Sequence, residues 1–369
     1  MAEWQGPVES VDLMDPIFWK DKSILITGHT GFKGGWLSLW LSILDANVIG
    51  FSLQPPTNPS FFDACGLSQR ITSINGDVRD IDSLKTVCEE SKPEVLVHMA
   101  AQPIVRQSYE DPIETYATNV MGTVNVLETA RQCESIKVVL IITSDKCYEN
   151  REWPWGYREI DPMGGFDPYS CSKGCAELIT ASYRQSFFAD ISCTQHAVAV
   201  ASARAGNVIG GGDWGKDRLI PDIFKSVAAG TPLQIRSPEA IRPWQHVLDP
   251  LHGYLRLIER LYNEGNTFSD GWNFGPFDSN CQTVAWILLE LKQSLGDRLQ
   301  WVQDKGPHPH EAHFLKLDCS KAHQRLNWRP KLDLATALQW TAEWYQGFER
   351  GDDILALSEK QIERFKEME

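Results

Sequence analysis

Short runs rich in apolar and β-branched residues punctuate the chain as far as Ala203: Ser23 to Thr27, Asn47 to Leu53, Ile71 to Asn75, Glu94 to Met99, Lys137 to Thr143 and His196 to Ala203. Continuous apolar runs of this kind suit strands covered on both faces, and the longer stretches between them carry helical periodicity. Strand alternating with helix predicts an α/β fold, a Rossmann-like doubly wound parallel sheet. The first run leads into Thr27-Gly28-His29-Thr30-Gly31-Phe32-Lys33-Gly34-Gly35 and then into a Trp36-Leu37-x2-Trp40-Leu41 stripe, which reads as strand, glycine turn, helix. Near the C-terminus, Asp353 to Glu369 has the pattern of a charged amphipathic helix, expected to be solvated.

The glycine turn carries chemistry. Glycines there let the backbone approach a pyrophosphate, and the free N–H groups of the new helix attract its charge. Because the spacing is Gly-x2-Gly-x2-Gly, the order of elements rather than the motif alone points to a dinucleotide, with Gly28, Gly31, Phe32, Lys33 and Gly34 as cofactor contacts. Ala100, Ala101 and Gln102 follow the fourth run, where a cofactor would lie across the strand ends. Asp77 and Val78 follow the third; the Asp77 carboxylate either receives an adenine amine or simply closes a turn. After the second run, Phe51-Ser52-Leu53-Gln54-Pro55 offers neither an acid for a ribose 2′-hydroxyl nor an arginine for a 2′-phosphate. That leaves NAD and NADP open at this point, with Ser52 or Lys33 as substitute contacts.

Downstream of the fifth run stand Ser144, Asp145 and Lys146, and then Tyr169 and Lys173 at helical spacing. Residues four apart share a helix face. There Lys173 and a cationic nicotinamide would both lower the tyrosine pKa, favouring the phenolate that takes a proton from a substrate alcohol. Asp145 alternatively caps the turn at the strand end.

Composition narrows the partners. With 369 residues, 42% apolar and 23% charged, this is a soluble globular protein with a sizeable core. The net charge of -14 disfavours nucleic acid and requires any phosphate site to be local. No apolar run approaches the ~20 residues of a membrane span. Residues 1 to 20 do not have the pattern of a signal peptide, so the cytoplasm is the expected location. Nine scattered cysteines read as reduced thiols, Cys171 and Cys175 included. His308-Pro-His310-Glu311-x-His313 groups imidazoles, but its proline weighs against a helical ligand set, and no metal is expected. Among the fourteen tryptophans, Trp153, Trp155, Trp214 and Trp244 would line a sugar pocket or belong to the core.

Thr27-Gly28-x2-Gly31-Phe32-x-Gly34, Ser144 and Tyr169-x3-Lys173 resemble the extended short-chain dehydrogenase/reductase family of nucleotide-sugar enzymes, over nearly the whole chain. Within it, Ser144-Asp145-Lys146, His29 to Gly34, Ala205-Gly206-Asn207-Val208-Ile209-Gly210-Gly211-Gly212-Asp213-Trp214 and Arg242-Pro243-Trp244-Gln245-His246-Val247 are similar to the branch that dehydrates CDP-glucose. The resemblance implies a lyase that uses NAD and a nucleotide-diphosphate sugar, CDP-glucose favoured, in deoxysugar and O-antigen synthesis. Ser144, Asp145, Lys146, Tyr169 and Lys173 would be catalytic. Relatives acting on dTDP-glucose carry Asp-Glu where this chain has Asp145-Lys146, so its base would be an amine. Burial and the nearby Lys173 cation are expected to let Lys146 give up its proton.

Asn207, Arg218 and Arg242 match positions that contact the nucleotide diphosphate, Arg106 and His246 are further substrate candidates, and Leu219-Ile220-Pro221-Asp222 would lie against the nucleoside. The implied architecture is an NAD-binding domain over 1–200 and a mainly substrate-binding lobe over 201–369, with interleaved boundaries. A homodimer would form through helices near Pro112 to Cys133 and Tyr169 to Phe188. A 4-epimerase, a dehydratase of another nucleotide sugar and a non-enzymatic NAD-binding sensor are the alternatives. Asp145-Lys146 argues against the epimerase and the Tyr169/Lys173 pair against the sensor.

Overall fold

A computed structural model describes residues 15–189, 197–304, 306 and 315–368. Its centre is a seven-stranded sheet of β1 (Ser23–Thr27), β2 (Asn47–Ser52), β3 (Thr72–Asn75), β4 (Val95–His98), β5 (Val138–Ile142), β6 (Ala199–Arg204) and β7 (Gly271–Asn273), in the order β7-β6-β5-β4-β1-β2-β3. Every pairing is parallel. The order reverses beside β1, and the crevice beyond the strand ends at such a switch point is where α/β sheets bind ligands. Register sets the rim: Thr27 of β1 lies level with Phe51 on one side and His98 on the other. A 2.7 Å hydrogen bond between Thr27 Oγ1 and His98 Nδ1 joins β1 to β4. Burial, with Lys173 nearby, pushes the His98 imidazole down to about 3 and so keeps it neutral.

Alternation along the strands divides the core. Ile24, Ile26, Val95, Val97, Leu140 and Ala201 face one side, against α1 (Phe32–Ile43) and α6 (Leu248–Glu264). Leu25, Leu96, Val139, Ile141 and Val200 face the other, against α2 (Ile81–Ser91) and α3 (Gly122–Gln132), with α4 (Pro168–Tyr183) also on that side. Both faces are therefore dry, which is why the strands read as unbroken apolar runs. A lobe of short strand pairs, such as Leu233–Ile235 with Trp301–Gln303, is completed by α5 (Leu219–Ala229), α7 (Val284–Leu295) and α8 (Leu334–Arg350). Among the described residues, no helix is long and apolar enough to cross a membrane.

The pattern of hydrophobic runs missed β7, whose three residues, Gly-Trp-Asn, contain a single large apolar side chain. It misjudged the final helix as well. The helix α9 (Ile354–Glu367) is docked, not solvated: Ile354, Ser358, Gln361, Ile362 and Phe365 are buried. Trp344 Nε1 donates to Ser358 Oγ at 2.9 Å and Gln361 Nε2 to the Trp340 carbonyl at 2.9 Å, so polar residues at helical spacing serve as the contact face. The His308 to His313 motif, Cys193 and His196 lie outside the described residues.

Candidate active site

A cavity of about 2210 Å³ follows the C-terminal ends of the strands beneath the lobe, and every candidate catalytic, cofactor and substrate residue except Gln102 and His246 lines it. Of the tryptophans expected in a sugar pocket or the core, Trp153 and Trp155 lie outside the cavity and Trp155 is largely exposed. At the β1 end, Gly28 has φ 79 and sits so close to β4 that a Cβ there would lie 2.6 Å from the Ala100 nitrogen. A Cβ at Gly34 would lie 2.2 Å from the Gly28 oxygen. Only glycines allow this approach of turn, helix and strand. Gly31 caps α1 with no side-chain hydrogen bond, which leaves the first N–H groups of the helix facing the cavity. This bare, positively poled cradle fits a dinucleotide pyrophosphate.

Beside it, the Asp77 carboxylate is held by Arg79: the Arg79 backbone N–H donates at 2.9 Å and Nε at 3.0 and 2.9 Å, keeping the acid below its usual range. Arg79 also pairs with Glu114. At the end of β2, Ser52 exchanges a 2.8 Å hydrogen bond with Thr30.

The catalytic candidates come from two adjoining elements. After β5 the chain turns through Asp145–Cys147, with Ser144 as N-cap; the Lys146 backbone N–H donates to Ser144 Oγ at 3.3 Å. Ser144 Oγ donates to Asp145 Oδ1 at 2.9 Å, while the buried Asp145 Oδ2 has no hydrogen-bond partner among the described residues. Facing this turn, α4 begins with Pro168 at its first position, and Asp167 caps it by accepting from Ser170 N at 2.9 Å. The helix carries Tyr169 and Lys173 inward on one face, each less than a tenth exposed. Lys173 Nζ donates to the Ile142 carbonyl at 3.3 Å.

The electrostatics depart from expectation in two places. Tyr169 is pushed up to about 12, because burial outweighs the lowering influence of the nearby Ser144 hydroxyl and the Arg218 charge, and Asp145 adds to the rise. Burial brings Lys173 down to about 8 against the pull of Glu177. Lys146 is exposed rather than buried, on the open side of the turn, with Nζ 6.0 Å from the Tyr169 ring centroid. Lys33, a candidate cofactor contact, lines the cavity within the field of the catalytic candidates. Burial first, then Lys173 and Arg218, bring it down to about 7, with Asp145 opposing.

On the lobe side, Arg218 NH1 donates to Asp213 Oδ2 at 2.8 Å, and Arg106 NH1 reaches across to Asp217 Oδ1 at 2.8 Å. Arg242 lies on the Ile241–Pro243 strand and Asn207 has φ 46, in the left-handed region. Leu219 to Asp222, Trp214 and Trp244 complete this wall. Two candidates lie elsewhere. Gln102 is buried behind the wall, donating to Thr115 at 2.9 Å and accepting from Ile104 N at 2.5 Å. His246 is fully buried, its ring edge-on to Trp36 at 6.3 Å and Trp340 at 5.7 Å, and burial pushes it down to about 3. It is a core residue, out of reach of substrate.

The model of the GDP-mannose 4,6 dehydratase family matches residues 25–341. The chain belongs to that family. It is 54% identical to a CDP-glucose 4,6-dehydratase of Salmonella typhimurium, over 95% of this chain and 98% of that one. A dTDP-glucose 4,6-dehydratase of Haemophilus influenzae is 24% identical over 88% and 97% of the two chains. Among solved structures, the UDP-glucose 4-epimerase of Thermotoga maritima shares the fold with a TM-score of 0.76 at 21% identity, covering 88% of this chain and 99% of that one. The dTDP-glucose 4,6-dehydratase of Bacillus anthracis, in complex with NAD, does so with 0.72 at 23% identity, over 90% and 99%.

In this member of the family, sequence reasoning passed over a buried network directly behind the site. Glu177, one turn beyond Lys173, accepts from Ser202 Oγ at 2.7 Å, from Arg204 NH2 at 2.7 Å and from Thr143. Arg204 NH1 in turn donates to Tyr148 Oη at 2.6 Å. The pair is almost fully enclosed, with side chains 5% and 4% exposed, and it ties β5, α4 and β6 together behind the catalytic wall. The signal was present: a lone arginine ends the apolar run Ala199-Val200-Ala201-Ser202-Ala203-Arg204, and a buried charge needs a partner.

Proposed function

We propose that the chain is an NAD-dependent nucleotide-sugar 4,6-dehydratase that converts CDP-glucose to CDP-4-dehydro-6-deoxyglucose. The observation that carries this is the meeting of Asp145 and Lys146 with Tyr169 and Lys173 in one cavity, so that groups for oxidation and for elimination face the same space. The high identity to the Salmonella typhimurium protein supports the cytidine nucleotide. Gly28, Gly31, Phe32, Lys33 and Gly34 would hold the cofactor diphosphate, and Ala100 and Ala101, which line the same cavity, would contact the rest of the cofactor. When bound, NAD takes a hydride from the sugar C4 and later returns it to C6. NAD rather than NADP suits a strand end where Arg79 is already neutralised by Asp77 and Glu114.

The residues divide the remaining work. Ser144 Oγ, now donating to Asp145, turns to hold the C4 oxygen, and Tyr169 removes the C4 hydroxyl proton. Its raised pKa means that the phenolate requires positive charge beside it, which Arg218 and, when bound, the cofactor ring would supply. The new C4 ketone acidifies the C5 hydrogen, which Lys146 removes from the open side of its turn. Asp145, entering the step protonated, gives a proton to the departing C6 hydroxyl, and water is lost across C5 and C6. When hydride returns to C6, Lys146 gives the proton it took back to C5, and the C4 hydroxyl proton taken by Tyr169 makes up overall for the one Asp145 gave. Arg218 and Arg242, with Asn207, bind the substrate diphosphate, arginine suiting phosphate through its forked donors.

We further propose a homodimer. Ile113, Met121 and Leu178 are 81%, 52% and 60% exposed on helices of the same side, an apolar face that a second copy would cover. Free cysteines among the described residues suit a reducing cytoplasm. Incubation with CDP-, UDP- and dTDP-glucose tests the assignment, with a 4-keto-6-deoxy product expected foremost from CDP-glucose. A CDP-hexose epimerised at C4 without loss of water overturns it.

A further inference from the structure

Gly206 follows β6 and meets the catalytic turn face to face. A Cβ built there would lie 1.9 Å from Asp145 Oδ2, 2.1 Å from Cγ and 2.4 Å from Oδ1, and these are the three nearest atoms. The carboxylate thus rests in the volume that any other residue at 206 would fill. Backbone conformation does not explain the glycine: Gly206 is absent from the residues of positive φ, so alanine suits its dihedrals. Nor can the loop withdraw readily. Gln245 Nε2 donates to the Gly206 carbonyl at 3.1 Å and to the Phe274 carbonyl at 3.0 Å, and Gln245 N donates to Asn207 O at 3.3 Å. The movable partner is the short Asp145 side chain, whose present setting is fixed by the 2.9 Å hydrogen bond from Ser144.

We propose that Gly206 is a positioning residue for elimination: by lacking a side chain it seats the Asp145 carboxylate against β6 and aims it at the departing C6 hydroxyl. Substitution acts first on Asp145, whose carboxyl group supplies all three of the nearest atoms, and is expected to reach the oxidation pair less directly. The inference rests on the reading of Asp145 as the proton donor.

The experiment is a kinetic cycle with Gly206→Ala, Asp145→Asn and their combination. C4 oxidation is read as reduced cofactor in a single turnover, and elimination as 4-keto-6-deoxy product. Gly206→Ala is expected to retain oxidation within a few-fold and to slow elimination on the order of 100-fold, the scale of a displaced acid. In the Asp145→Asn background the same change should add less than about threefold, because coupled residues are not additive. Full elimination by Gly206→Ala, equal loss of both steps, or full additivity overturns the proposal. Undiminished elimination by Asp145→Asn instead overturns the reading of Asp145, before Gly206 is considered.

If Gly206→Ala does not fold, Asp145→Ala/Gly206→Ala decides. With the carboxylate removed the methyl has room, and this double variant is expected to fold and melt close to Asp145→Ala. A double variant that also fails to fold overturns the proposal.

Discussion

The two halves of the catalytic wall are built to different standards. Tyr169 and Lys173 ride on a capped, proline-started helix, buried on one face, with the Glu177–Arg204 pair packed behind them. Asp145 and Lys146 occupy a single turn, where one carboxylate oxygen has no hydrogen-bond partner among the described residues and the amine stands open to the cavity. In the proposed reading, the oxidising pair is held rigidly by its helix and its buried support. The eliminating pair has less support, so substitutions around its turn should disturb water loss more readily than oxidation.

Substitutions on each side break this contrast differently. The largest effect is expected from Tyr169→Phe, which removes the proton acceptor and lowers C4 oxidation on the order of 10² to 10⁴-fold, read as reduced cofactor in a single turnover. Retained oxidation would remove Tyr169 from its role. Lys146→Met should abolish exchange of the C5 hydrogen with deuterated solvent by about 100-fold or more while oxidation persists. Undiminished exchange in that variant would show that another group is the base. Asp145→Asn should slow product release of water by about tenfold to 100-fold and leave both oxidation and C5 exchange in place.

The support behind the helix answers to stability instead. Arg204→Met leaves Glu177 buried and unpaired, and urea denaturation should register a loss of ~3–5 kcal/mol, against less than about 1 kcal/mol if the pair were solvated. A smaller, pH-dependent effect belongs to Lys173. Burial lowers it from 10.5 to about 8, so between those values the unfolded chain binds the extra proton and stability rises with pH. That contribution is present above pH 10.5 and is lost as pH falls through about 8. Melting of the protein against Lys173→Met should shift in favour of the lysine form across this window; a constant difference would show that the lysine is not buried.

Legibility followed the range of the interactions. The Gly28 to Gly34 turn and the strands from β1 to β6 could be read directly, because apolar runs and turn chemistry are local properties. The β7 strand could not, since three residues acquire extended structure only by pairing with β6. His246 shows the same limit in a side chain: Arg242 and Trp244, four and two residues before it, line the cavity, while His246 belongs to a separate two-residue strand paired with Val208–Ile209 and is buried against Trp36 and Trp340. The Tyr169–Lys173 spacing promised a shared face correctly, but not how strongly burial would raise the phenol.

By itself the sequence determined the strands, the glycine cradle and the residues proposed to carry acid–base chemistry, because period, turn type and side-chain pKa class are written in adjacent residues. Tertiary structure alone decided which of them meet. It seated Asp145 on Gly206, left Lys146 in the open, sent Lys33 toward the catalytic cluster and buried Glu177 against Arg204. Those outcomes depend on space and on desolvation between elements distant in the chain, and neither is a property of any local stretch of sequence.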